Sequence, residues 1–189
     1  NPEETLQIWN KDEVLSDVVY IIRKFQPDVI INRFDARSPG TTHGHHTSSA
    51  MLSLEAFDKV NNANIYPHQL NLVQTWQPKR VFFNTSWWFY GSKEKFEAAD
   101  KSNLISFNTG VYFPSLGKSN QEIAALSRSR HQSQGFGSTG TRGDEDEYLE
   151  FLKGEPQIDK SNIFDGIDTS WNRVQGGKPI GELLALIQN

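Results

Sequence analysis

The chain has 189 residues, a formal charge of −4 and 36% hydrophobic residues, enough apolar material for one domain or a large part of one. The mild acidity gives no reason to expect nucleic acid as a partner, and no apolar run approaches the roughly 18 residues that a membrane-spanning helix needs. With no cysteine in the chain, disulfides and thiolate metal sites are excluded.

Residues Glu3 to Gln26 predict a helix. Val14, Val18, Ile21, Ile22 and Phe25 recur at helical spacing, while Asp12, Glu13, Asp17, Arg23 and Lys24 lie mostly off that stripe. Acidic residues early and basic residues late suit the helix dipole. Pro27 ends the helix, and Asp28 to Phe34 follows as a short β-branched strand with the composition of one buried on both faces. A strand of this kind directly after an amphipathic helix is the signature of a parallel βαβ arrangement.

The loop from Asp35 to Thr42 leads into His43-Gly44-His45-His46, where three of the five histidines fall within four residues. Thr42 or His43 is the expected cap of a helix running to about Val60. The loops at the carboxyl ends of strands are where α/β proteins gather ligand-binding groups, and imidazole is a common metal ligand. The residues alone leave two readings open, a metal- or ligand-binding loop and a polar loop that is merely rich in histidine. Arg33, Asp35 and Arg37 beside it read either as contacts to a ligand in the cleft or as solvated charges.

Asn61 to Asn64 breaks the helix, and Tyr66-Pro67 opens an irregular connection that includes His68, to which no role is assigned. Arg80 to Tyr90 has the β-branched and aromatic content of a strand, and its Trp87-Trp88 pair is either a stacking face for a sugar ring or part of a core. Lys93 to Lys101 reads as a solvated loop or short helix, and Asn103 to Tyr112 as another strand. Ser119 to Gln134 predicts a helix, with Glu122 at capping-box spacing from Ser119. Gly135 to Gly143 is a flexible run whose glycines follow no strand, so it is not read as a phosphate loop. Tyr148 to Lys153 reads as a strand or helical turn, and Ile180 to Gln188 as a closing helix. There is no internal repeat.

At His43-Gly44-His45-His46 the sequence resembles the LmbE-like, or PIG-L, family of N-acetylglucosaminyl de-N-acetylases, whose His-Pro-Asp-His segment follows a buried strand and opens a helix. Gly44 is also a family form; His45, standing where the family has Asp, is a departure. Arg23-Lys24-Phe25-Gln26-Pro27-Asp28-Val29-Ile30-Ile31 is similar to the family's preceding helix and strand. Glu122 to Gln134 is similar to a late helix with a His-x-Ser-Gln pattern, here His131-Gln132-Ser133-Gln134. The order and spacing of these pieces agree, and the likeness covers most of the chain.

The resemblance implies an α/β, Rossmann-like fold with a mostly parallel sheet flanked by helices, and a zinc-dependent amidohydrolase acting on an N-acetylated sugar. It implies one domain over residues 1–189, with residues 160–189 leading toward a following region. It maps a zinc ligand to His46 and the stabilisation of charge on a tetrahedral intermediate to His43. His45 would support these groups by hydrogen bonding or, as the alternative, ligate the metal itself, and His131 with Gln134 would make a supporting or substrate-edge contact, or simply pack the helix. The family's N-terminal His-Pro-Asp-Asp-Glu type motif, with its strand and helix, is absent from this chain. A catalytic zinc needs three protein ligands and an open position. The expectation is therefore a fold incomplete at the N-terminus, an incomplete zinc site and no activity from this chain alone, its missing partner being a further N-terminal segment of the same protein. The alternative is a non-catalytic carbohydrate-binding or interaction domain of the same fold.

Overall fold

Two helices stand where the sequence predicts one. The computed structural model describes residues 1–134, 137 and 139–187, the side chain of Gln134 lying outside the description, and it has α1 at Pro2–Ile8 and α2 at Lys11–Phe25. Asn1 caps α1, its Oδ1 accepting from the Glu4 amide at 2.9 Å. The break between the helices falls at Asn10, whose φ of 56° is left-handed; asparagine is one of the few residues that visit this region readily.

The chain divides into two compact units, Asn1–Phe83 with Phe151–Asn189, and Asn84–Glu150. In the first, the buried stripe of α2 is Leu15, Val19 and Ile22, with Val14 and Val18 partly covered. The predicted stripe is thus offset: Ile21 is 58% and Phe25 78% exposed. Arg23 is also a correction, since it is buried. Strand β1 (Val29–Asn32) follows, then α3 (Gly44–Lys59), then β2 (Arg80–Thr85). Leu52 and Ala56 of α3, with Val60 after it, close against Leu6 and the α2 stripe to form the core. Strands β1 and β2 pair in parallel from Val29↔Arg80 to Asn32↔Phe83, so β1, α3 and β2 make the expected βαβ unit. The expectation for β1 of burial on both faces is corrected by Ile31, which is 48% exposed; β2 is the more fully covered strand, with Val81 and Phe82 at 0%.

In the second unit the predicted long strand stops at Thr85, and Trp87–Tyr90 forms a 3-10 turn with Trp87 and Trp88 both exposed. Helix α4 (Lys93–Ala98) precedes β3 (Leu104–Asn108), and a small antiparallel pair, β4 (Tyr112–Phe113) with β5 (Lys118–Ser119), leads into α5 (Asn120–Arg128). The capping box at the start of α5 is present: Ser119 Oγ accepts from the Glu122 amide at 3.2 Å, and Glu122 Oε2 accepts from the Ser119 amide at 2.8 Å. Strand β6 (Asp146–Gly154) resolves the ambiguous Tyr148–Lys153 segment and runs antiparallel to β3, Leu104 opposite Glu150 and Asn108 opposite Asp146. Helix α6 (Lys178–Ile187) belongs to the first unit.

The fold is α/β, and its sheet is mixed, β1 pairing with β2 in parallel and β3 with β6 antiparallel, where a mostly parallel sheet was expected. The mostly parallel sheet was what the family resemblance implied, and the β1–β2 pairing is parallel. Successive residues in part of β3 (Ile105, Ser106, Phe107, Asn108) and of β6 (Leu149, Glu150, Phe151) alternate apolar with polar, a pattern of antiparallel strands. Among the described residues no helix is long and apolar enough to cross a membrane.

Candidate metal centre

The three clustered histidines sit where β1 gives way to α3. β1 ends at Asn32, the chain loops through Asp35 to Thr42, and His43 occupies the N-cap position of α3 in extended conformation, φ −65° and ψ 148°, with no capping bond from its side chain. His45 and His46 then fall in the first helical turn. Gly44, between His43 and His45, is the residue this packing requires. A Cβ there would lie 2.4 Å from the Asn1 carbonyl oxygen and 2.7 Å from Thr5 Oγ1, so the start of α1 is seated against the histidine motif. Ser48 Oγ, one turn along α3, donates to the Pro2 carbonyl at 3.1 Å and holds the same contact.

One ligand nitrogen from each of His43, His45 and His46 lies within 4.8 Å of the others, so the three can hold a metal ion. Tetrahedral zinc with nitrogen ligands at 2.0–2.1 Å sets them about 3.4 Å apart. The rings therefore need to turn inward by about an ångström, and the exposed side chains of His43 and His45 can do so without repacking. The His45 and His46 ring centroids are 4.1 Å apart in an edge-on arrangement, and His43 stands 5.6 Å from His45 and 5.5 Å from His46. On its other side His46 lies flat against Phe34, centroids 3.8 Å apart and planes within 6°. Burial, followed by the neighbouring His45 and His43, lowers the His46 pKa from its ordinary value. That favours the neutral imidazole, which is the ligand form.

Of the other predicted residues, Asp35 and Arg37 come together. Asp35 Oδ1 accepts from both the main-chain N–H and the Nε–H of Arg37, each at 2.9 Å. Burial raises the Asp35 carboxyl, but the hydrogen bonds and charge of Arg37, with a further bond from Ser38, outweigh it and hold the group below the usual carboxylate range. The pair lines a cavity of about 220 Å³ with Leu54, Phe151, Leu152 and Lys153. Arg33 is exposed just past the end of β1.

His131 is in the second unit, exposed, three residues beyond the end of α5. The predicted helix to Gln134 ends at Arg128, so the His-x-Ser-Gln segment is not on the helix, and helix packing of His131 is corrected. The side chain of Gln134, and residues 135, 136 and 138 of the predicted flexible run, lie outside the described residues. A cavity of about 410 Å³ in the second unit, lined by residues that include Gln121, Arg128 and Glu147, contains none of the predicted site residues. His68 is exposed in a 3-10 turn.

Two residues of this region escape sequence reasoning. Phe34 reads in the sequence only as the last apolar residue of a strand. Asn32, buried at the carboxyl end of β1, has a side-chain Nδ2 with no hydrogen-bond partner among the described residues. A polar residue closing an otherwise apolar strand is the one signal that marks it. Neither a protein-family model nor a curated protein matches the chain.

Proposed function

We propose that this chain is part of a zinc-dependent hydrolase that removes the N-acetyl group from an amino sugar or its conjugate, on a Rossmann-like fold of the LmbE type. The observation that carries the reading is the grouping of His43, His45 and His46 within 4.8 Å at the mouth of a helix that follows a parallel strand. In this chain His43, His45 and His46 are near enough to share the ion; in the longer protein, with further ligands in place, His46 would hold it and His43, at the outer edge of the cap, would stabilise the oxyanion of the acetamide's tetrahedral intermediate. Zinc, when bound, supplies Lewis acidity and a water acidic enough to react near neutral pH. The Asp35–Arg37 cavity, with Phe151 on its wall, supplies acceptor, donor and apolar contacts of the kind a sugar ring takes.

The general base and further ligands would come from residues preceding Asn1, and the seat of Asn1 against Gly44 gives such a segment a start beside the histidines. The test is an acetate-release assay on N-acetylglucosamine substrates with the protein carrying its upstream sequence. Activity is expected there, is lost in His46→Ala, and is absent from the 189-residue chain alone. The second reading is a non-catalytic carbohydrate-binding domain of the same fold. Sugar binding with no acetate release from the longer protein would decide for it.

A further inference from the structure

We infer that Phe34 is a positioning residue for the metal centre, fixing the plane of the His46 imidazole; this rests on the metal-binding reading above. A histidine that ligates a metal usually donates its second ring N–H to a carboxylate, a carbonyl or water, and that bond sets which way the ring faces. His46 has no such bond among the described residues. Instead its ring lies face to face with Phe34, at 3.8 Å between centroids and 6° between planes. His45 stands edge-on to the ring at 4.1 Å and 63°. A flat aromatic surface on one face leaves the imidazole free to slide but not to tip. Both ring nitrogens keep their lone-pair or N–H directions in a plane set by Phe34.

The covalent connection explains how this is arranged. Phe34 is the second residue past the end of β1, so its backbone position is set by the strand pairing with β2, and His46 is on the first turn of α3. The stack therefore ties the helix start to the strand end across the nine-residue loop from Asp35 to His43. Phe34 also covers one face of the His46 ring.

The experiment is a Co²⁺ titration of the 189-residue chain, followed by visible absorption and repeated by Zn²⁺ competition, for wild type, His46→Ala, Phe34→Leu, Phe34→Met and Phe34→Tyr. Leu and Met keep apolar bulk without the flat face, and Tyr keeps the face. Removing the partner that orients a ligating histidine lowers metal affinity by about 10–100-fold. The expected result is a loss of about tenfold or more in the Leu and Met variants with an altered Co²⁺ spectrum, and affinity and spectrum within about threefold of wild type for Tyr. Circular dichroism and thermal melting report folding in parallel. If wild type takes up no ion, the metal reading and this role fall together. If wild type binds and His46→Ala does not, while Phe34→Leu and Phe34→Met bind as wild type, only the role of Phe34 is overturned. It is overturned as well if Tyr loses as much as Leu, or if both aliphatic variants fail to fold, which would make Phe34 a core residue.

Discussion

Arg23 donates its Nε–H to the main-chain oxygen of Val60 at 3.0 Å, joining the last turn of α2 to the residue that ends α3. Its remaining donors reach the carbonyls of Asn62 (2.9 Å), Ile65 (3.0 Å) and Tyr66 (3.4 Å) and the Oε1 of Gln69 (3.0 Å). Helix C-termini leave carbonyls without intrahelical partners. One buried guanidinium satisfies this group of them, and its five-donor fork has the shape to do so. Arg23→Met keeps much of the bulk and strands the acceptors. The expected loss is on the order of 3 kcal/mol in urea denaturation, the scale for removing one member of a buried charged network. Arg23→Lys recovers only part of it, because an ammonium carries three donors instead of five. A Met variant as stable as wild type would show that the carbonyls find other partners.

His45 separates two arrangements of the metal centre. If the ion is held by all three imidazoles, His45→Ala lowers Co²⁺ affinity at least about tenfold, as loss of a direct ligand must. If His45 only supports His46, the change is smaller and Zn²⁺ binding survives at micromolar metal. The 4.8 Å limit on all three donor separations favours the first outcome. Isothermal titration of Zn²⁺ into wild type, His43→Ala, His45→Ala and His46→Ala reads it directly, and equal losses in all three variants are the expected pattern.

The parts of this fold that were legible were those fixed by local chemistry. The span of α3, its start at His43 and the Ser119–Glu122 capping box follow from cap residues and spacing, and each is present. The parallel pairing of β1 and β2 follows from a helix between two β-branched strands. What was not legible depends on tertiary context. Nothing local marks Asn10 as left-handed rather than helical, so one long helix was expected where two stand. Arg23 looked like a surface cation because an arginine is usually exposed; only the carbonyls brought to it from residues 60–66, more than thirty positions away, make burial tolerable. The grouping of His43, His45 and His46 was visible as spacing, but the ring of Phe34 laid against His46 was not, since side-chain stacking across a loop leaves no periodic trace.

Tyr66 gives the chain a pH dependence at its alkaline end. Its hydroxyl donates to Asp12 Oδ1 at 2.8 Å, and burial, then that bond and the Asp12 and Glu55 charges, push its pKa from 10 up to about 12. The raised value means that folding favours the protonated phenol. The stabilisation is complete below the unfolded pKa of 10 and is lost as pH rises from 10 through about 12. Ultraviolet titration should show one tyrosine ionising late in the wild type, and Asp12→Asn should bring that transition down toward the others. In Tyr66→Phe the fall of thermal stability between pH 10 and 12 should be shallower than in wild type. A wild-type titration in which all the tyrosines ionise together would contradict it.

Gly44→Ala sets two effects of opposite sign against each other. Alanine favours a helix over glycine by about 1 kcal/mol, and Gly44 is the first residue of α3. Its new Cβ would lie 2.4 Å from the Asn1 oxygen, 2.6 Å from the Asn1 carbonyl carbon and 2.7 Å from Thr5 Oγ1. The two closest atoms are main chain, so relief requires α1 to move as a body. That movement also breaks the buried bond from Ser48 Oγ to the Pro2 carbonyl. Overpacking of this kind typically costs about 1–3 kcal/mol and a lost hydrogen bond about 1 more, which outweighs the gain in propensity. The expected net is a destabilisation of about 1–3 kcal/mol, which lowers the melting temperature by about 2–4 °C per kcal/mol for a chain of this size. Hydrogen exchange should place the loss in residues 2–8 and the first turn of α3, with α2 and β2 protected as before. Unchanged exchange in α1 together with raised stability would mean that the helix start has room the packing denies it.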